Sequence, residues 1–174
     1  MSNNQIRIIV TGGTFDKQYD AIKGDLTFRN THLPEILRSV GASLDCEIDV
    51  GKLIDSLHMT EADRQGICDA ACNCEEKQIV ITHGTDTMAR TAGVIGRVFQ
   101  KNPETFDKTI VFTGAMVPYA FGTSDALFNL GCALAFAQSL PPGVYIAMNA
   151  KAFTWDNVIK NTSLGIFTEI NDNP

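Results

Sequence analysis

Basic residues are scarce and never form a block: 14 Lys and Arg stand against 20 Asp and Glu, for a formal net charge of −6. A surface of that sign repels phosphate backbones and anionic lipid, which argues against nucleic-acid and membrane partners and for a small molecule. No apolar run is long enough to read as a membrane span. The first residues, Met1 to Gln5, are polar and lead straight into Ile6-Arg7-Ile8-Ile9-Val10. That leaves no room for a charged region followed by the apolar stretch of a signal peptide, so a cytoplasmic location is expected. Cysteines number only five, at positions 46, 68, 72, 74 and 132. An odd count is not an extracellular disulfide framework, and reduced thiols are the simpler reading. Cys68-x-x-x-Cys72-x-Cys74 lacks the paired C-x-x-C spacing of zinc sites and has no nearby His, so no metal is expected there. The phosphate-binding strings G-x-G-x-x-G and G-x-x-x-x-G-K-[ST] are missing, as is the G-x-S-x-G elbow, which demotes nucleotide-binding and α/β-hydrolase readings.

What is present suits one α/β domain spanning residues 1–174, with 44% hydrophobic and 20% charged residues. Three stretches repeat one design: Ile6–Val10 before Thr11-Gly12-Gly13-Thr14, Gln78–Ile81 before Thr82-His83-Gly84-Thr85, and Thr109–Phe112 before Thr113-Gly114-Ala115. Apolar β-branched runs without polar alternation suit strands buried on both faces of a parallel sheet. Helical spacing marks Leu33–Val40, Thr60–Cys74, Asp86–Phe99 and Ser124–Ala137, and Thr60 with Asp63 loosely matches a capping box. A further strand is expected at Val144–Met148, after Pro141-Pro142-Gly143. The alternation predicts an open, doubly wound, mainly parallel sheet with helices on both faces, a three-layer α/β/α fold. Phe15–Asn30 is long and polar for a connection and reads as a loop or hairpin, while the tail from Lys151 to Pro174 reads as a hairpin or short strands.

In such sheets ligands bind beyond the carboxyl ends of the strands, where the three Thr/Gly tips lie. Gly12, Gly13, Gly84 and Gly114 let backbone come close to a ligand. His83-Gly84-Thr85-Asp86-Thr87 sets hydroxyls beside a carboxylate. A threonine hydroxyl is a weak nucleophile until a neighbouring base or relay withdraws its proton. His83 reads as a structural, hydrogen-bonded residue behind its tip, and the arginines offer no convergent clamp.

Thr11-Gly12-Gly13-Thr14, Ile81-Thr82-His83-Gly84-Thr85-Asp86-Thr87-Met88 and Thr113-Gly114-Ala115-Met116, followed by Ser124-Asp125 and Phe128-Asn129-Leu130, resemble the amino-terminal domain of the bacterial-type L-asparaginase/glutaminase family. The resemblance runs in order from Ile6 to about Glu169. It implies that Thr14 is the nucleophile on a side-chain amide carbon, that Thr85 is the second active-site threonine and that Asp86 binds the substrate amino group. Lys160 matches the family's relay lysine, Ser56 its contact to the substrate α-carboxylate, and Tyr19 its loop tyrosine. Gly84 belongs to the substrate-contacting tip, and the Ala115 carbonyl accepts from the substrate amide. No cofactor is implied. The sequence departs from the family at Phe15-Asp16-Lys17 and at Val117, where relatives carry an arginine.

Relatives usually carry a second domain whose acidic residue completes a neighbouring subunit's site, and this chain has no counterpart by motif. Asp16, Asp20, Asp25 or a partner's Glu169 are the candidate substitutes. The expectation is an asparaginase-like amidohydrolase acting on asparagine or a related small amide, as a homo-oligomer, dimer or larger. The alternative is a non-catalytic binding module for an acidic amino acid or its amide.

Overall fold

Residues 5–170 are described by a computed structural model of the chain. Along it run β1 (Ile6–Gly12), a hairpin of β2 (Lys17–Asp20) and β3 (Asp25–Phe28), α1 (Leu33–Ser39), β4 (Cys46–Ile54), α2 (Glu61–Asn73) and β5 (Gln78–Thr82). Next come α3 (Met88–Lys101), β6 (Thr109–Thr113), α4 (Ala126–Ser139), β7 (Gly143–Met148) and β8 (Lys151–Thr154). A second hairpin, β9 (Ile159–Asn161) with β10 (Ile166–Thr168), follows. The main sheet has the order β4-β1-β5-β6-β7-β8, parallel throughout except for β8.

Alternation along each strand divides the core in two. Ile79, Ile81, Ile110, Phe112 and Ile146 face α2 and α3, where Ile67, Ala71, Met88, Ala92 and Ile95 are buried. Ile8, Val10, Val80 and Val111 face α1 and α4, through Leu33, Ile36, Leu130 and Ala133. A sheet apolar on both faces needs helices on both, and the expected three-layer α/β/α fold is what forms. The capping box at α2 is complete: the Asp63 N–H donates to Thr60 Oγ1 at 3.2 Å and the Thr60 N–H donates to Asp63 Oδ2 at 2.8 Å.

One difference from the sequence reading has a physical cause. β4 was not marked by an apolar run, because it is an edge strand whose Glu47, Asp49 and Lys52 stay exposed, as edges that avoid pairing with other chains do. The tail divides: β8 reverses onto the main sheet through Asn149 and Ala150, both at positive φ, and only β9 and β10 pair as a separate hairpin. The last four residues of that tail, 171–174, lie outside the described residues. Phe15–Asn30 is the β2–β3 hairpin, preceded by a 3-10 turn over Thr14–Asp16. The chain leaves β1 for β4 on one side and returns to β5 on the other, so the switch in winding falls at the carboxyl ends of β1 and β5.

Candidate functional site

Backbone packed on backbone builds the floor of the site. Gly13, at φ +77°, lies so close to the next tip that a Cβ there would come within 2.4 Å of the Gly84 nitrogen. A Cβ on Gly84 would come within 2.6 Å of Ser56 Oγ, and one on Gly114 within 2.4 Å of the His83 carbonyl oxygen. The turns after β1, β4, β5 and β6 therefore interlock at positions where only hydrogen fits. Thr14 and Thr85 each follow a member of the Gly13–Gly84 contact, which brings both hydroxyl-bearing residues to one rim.

Lys160, on β9, completes that rim from a distant part of the chain. Its Nζ donates to Thr85 Oγ1 at 2.8 Å and to Asp86 Oδ1 at 2.6 Å. The lysine side chain is 15% exposed and the aspartate 45%, so the ion pair is half in solvent. A hydroxyl, an amine and a carboxylate within direct hydrogen-bond reach can exchange a proton.

The opposite flank is buried. Ser56 Oγ sits against Gly84 with no hydrogen-bond partner among the described residues. Buried hydroxyls rarely stay unpaired in folded proteins, so an unpaired one facing a candidate site marks a place for a ligand's acceptor or donor. The Ser56 carbonyl accepts from Thr87 Oγ1 at 2.9 Å, fastening the serine's turn to the start of α3. His83 Nδ1 lies 2.8 Å from the Gly84 carbonyl oxygen and its Nε2 2.8 Å from Thr91 Oγ1. Burial pushes its pKa down to about 4, so the ring is neutral at neutral pH and is held behind the tip as the sequence indicated. Arg64, which sequence reasoning passed over, is buried beside them at 1% exposure and hydrogen-bonds Thr91 Oγ1. Nothing in its neighbourhood, Ala62-Asp63-Arg64-Gln65, distinguishes it from an exposed helical arginine.

Behind the third tip, the Asp125 carboxylate accepts from the Met116 and Val117 N–H groups at 3.0 Å. The Asn129 amide donates to the Gly114 carbonyl at 3.0 Å while its oxygen accepts from the Asn149 N–H at 2.9 Å. Ala115 is fully buried between these supports.

The family profile described as "Asparaginase, N-terminal" matches residues 5–174. The chain belongs to the asparaginase family. L-asparaginase from Thermococcus kodakarensis is 41% identical over 95 residues, covering 53% of this chain and 28% of that protein. L-asparaginase 1 from Escherichia coli K12 is 32% identical over 148 residues, covering 81% of this chain and 42% of that one. Among solved structures, the Thermococcus kodakarensis enzyme superposes with a TM-score of 0.81 at 29% identity. L-asparaginase I from Vibrio cholerae superposes with 0.82 at 28%. Each comparison covers 97% of this chain and 52% of the other, so the chain spans about half the length of these asparaginases.

Among the residues of the asparaginase pattern, Gly13 and Gly84 pack together just before Thr14 and Thr85, Ser56 lies against Gly84, and Lys160 bonds Thr85 and Asp86. Tyr19 stands on β2, 61% exposed, and its side chain forms no hydrogen bond with the set among the described residues. The divergent loop is anchored instead by Lys17, whose Nζ lies 2.6 Å from Asp55 Oδ2, next to Ser56. The four acids considered as substitutes are each engaged locally. Asp16 is buried and accepts from Thr31 Oγ1 and the His32 N–H at 3.0 Å, with burial raising its pKa. Asp20 accepts from the Ile22 N–H, Asp25 from the Leu26 N–H, and Glu169 from Asn157 Nδ2.

Proposed function

We propose that this chain carries the catalytic residues of an amidohydrolase that hydrolyses the side-chain amide of L-asparagine or a related small amide. The observation that carries the reading is the set Thr85–Lys160–Asp86 beside Thr14, with the unpaired Ser56 hydroxyl across Gly84. Thr14 Oγ1 attacks the amide carbon, its proton passing into the Thr85–Lys160 relay and on to the departing nitrogen. The C–N bond breaks, ammonia leaves, and a threonyl ester remains. Water then adds to the ester carbon and the C–O bond to Thr14 breaks, giving the acid. Asp86 and Ser56 hold the amino and carboxylate groups of the substrate, and the Ala115 carbonyl accepts from its amide. Tyr19, on a hairpin beside the nucleophile, joins the set on closure of β2–β3 over substrate. No step calls on a metal or organic cofactor.

Residues 1–174 are read as one domain. The apolar side chains of Ile22, Leu57 and Leu164, all well exposed, support assembly with further copies into a homo-oligomer. The five free cysteines support a cytoplasmic setting.

The test is ammonia release over a panel of asparagine, glutamine and other small amides, with Thr14→Ala and Thr85→Ala alongside. Turnover at least a hundredfold lower in both variants is the expected result. Ligand-induced thermal stabilisation without turnover in the wild type would replace this reading with that of an amino-acid binding module.

A further inference from the structure

Arg64 is the bulkiest of the fully buried side chains. Taking a guanidinium out of water costs several kcal/mol unless its donors are met, so its partners indicate what it is there to hold. Nη1 donates to Thr91 Oγ1 and lies 4.0 Å from Met59 Sδ. Nη2 is 3.5 Å from the carbonyl oxygens of Ser56 and Met59. Nε is 3.3 Å from the Glu61 carboxylate, which also pairs with Arg90 at 2.8 Å. One side chain thus touches the turn that carries Ser56 and, through Thr91, the histidine behind Gly84.

Donor counting fixes the direction of that chain. The Gly84 carbonyl, 2.8 Å from His83 Nδ1, can only accept, so Nδ1 carries the ring hydrogen, while Thr91 Oγ1 accepts from Arg64 on one lone pair and keeps its own hydrogen to give. Its other partner is His83 Nε2 at 2.8 Å. With the neutral ring's hydrogen on Nδ1, Nε2 is the bare nitrogen and accepts from the Thr91 hydroxyl. Free histidine prefers the opposite tautomer, with hydrogen on Nε2. We infer that Arg64 is a positioning residue for the candidate site: by occupying a lone pair of Thr91 Oγ1 it turns that hydroxyl's hydrogen to His83 Nε2 and reinforces the Nδ1–H tautomer that pins the Gly84 carbonyl, while it grips the Ser56 turn. Arg64 touches no reacting atom. It sets the relative placement of the two segments that meet at Gly84, one bearing Ser56 and the other Thr85.

The test is imidazole nitrogen NMR on the full chain with labelled histidine, which distinguishes Nδ1–H from Nε2–H at each ring. Wild-type His83 is expected as Nδ1–H. Arg64→Met releases it toward Nε2–H, Arg64→Lys keeps Nδ1–H because an ammonium still donates to Thr91, and Thr91→Val releases it with Arg64 intact. An Nε2–H ring in the wild type, or an unchanged ring in both Arg64→Met and Thr91→Val, overturns the inference. This arm is independent of activity, so it stands or falls separately from the proposed reaction. The kinetic arm rests on that reaction: in Arg64→Met the KM for the amide substrate rises about tenfold with kcat changed less, and Arg64→Lys restores much of it. An equal fall in kcat with KM unchanged would count against placement of the Ser56 turn.

Discussion

The two flanks of Gly84 are built on opposite plans. On one, Ser56, His83 and Arg64 are buried to 1% exposure or less and held by a hydrogen-bonded chain whose ends lie on α2 and on the tip of β5. On the other, a buried Thr85 meets an Asp86–Lys160 ion pair whose carboxylate is open to solvent, with the lysine contributed by a small hairpin outside the main sheet. Shape is fixed where water is excluded, because a packed interior tolerates little displacement. Proton traffic is placed where water and substrate can reach it.

The largest effect expected from this contrast is at the hinge between the flanks. Gly13→Ala sets a Cβ against backbone atoms at a positive φ, so neither partner can yield cheaply. It should lower the unfolding free energy by about 3 kcal/mol in urea titration and abolish ammonia release. Next, Lys160→Met should separate the two plans: activity falls by about two orders of magnitude, while stability changes by less than about 1 kcal/mol because the lost ion pair is partly solvated. Equal losses in both would mean that the exposed flank is structural after all.

Acidification probes the buried flank through His83. The unfolded chain protonates His83 below its ordinary value of 6.5, whereas the folded chain resists until about 4. Folded molecules thus bind fewer protons across that window, and stability falls as pH drops from 6.5 to 4, by roughly 3 kcal/mol at most from this ring. Above pH 6.5 the ring contributes no slope. His83→Asn, which keeps a donor near the Nδ1 position, should flatten the stability–pH curve between those limits. The smallest effect belongs to Thr60→Ala, which removes one half of the α2 capping box and should cost about 1 kcal/mol in thermal or chemical unfolding.

Strands β1, β5, β6 and β7 were legible because burial on both faces leaves Arg7 as the one charged residue in the four runs, so no polar alternation competes with the apolar signal. β4 obeyed a different rule, since an edge strand is written in charges. The rim was readable through the HGTDTM string and through Lys160, whose role could come only from its place in a family pattern, because Val158-Ile159-Lys160-Asn161 carries no chemistry of its own. Arg64 was out of reach for a physical reason: arginines on helices are overwhelmingly solvated, and its burial arises from tertiary packing with Thr91, 27 residues further on. The family tyrosine had a sequence match in Tyr19, yet a hairpin residue's position over the site depends on the hairpin's closure rather than on its register.

Asn129 ties distant segments into one cooperative unit. Its amide group joins the Gly114 carbonyl, at the end of β6, to the Asn149 N–H in the turn between β7 and β8, and it also donates to Asp125 at 2.9 Å. Three places separated along the chain therefore share one side chain, and none can open without breaking a bond to another. The amide hydrogens of Met116, Val117 and Asn149 should then exchange with solvent through a single opening event of common free energy, a unit that frays together or not at all.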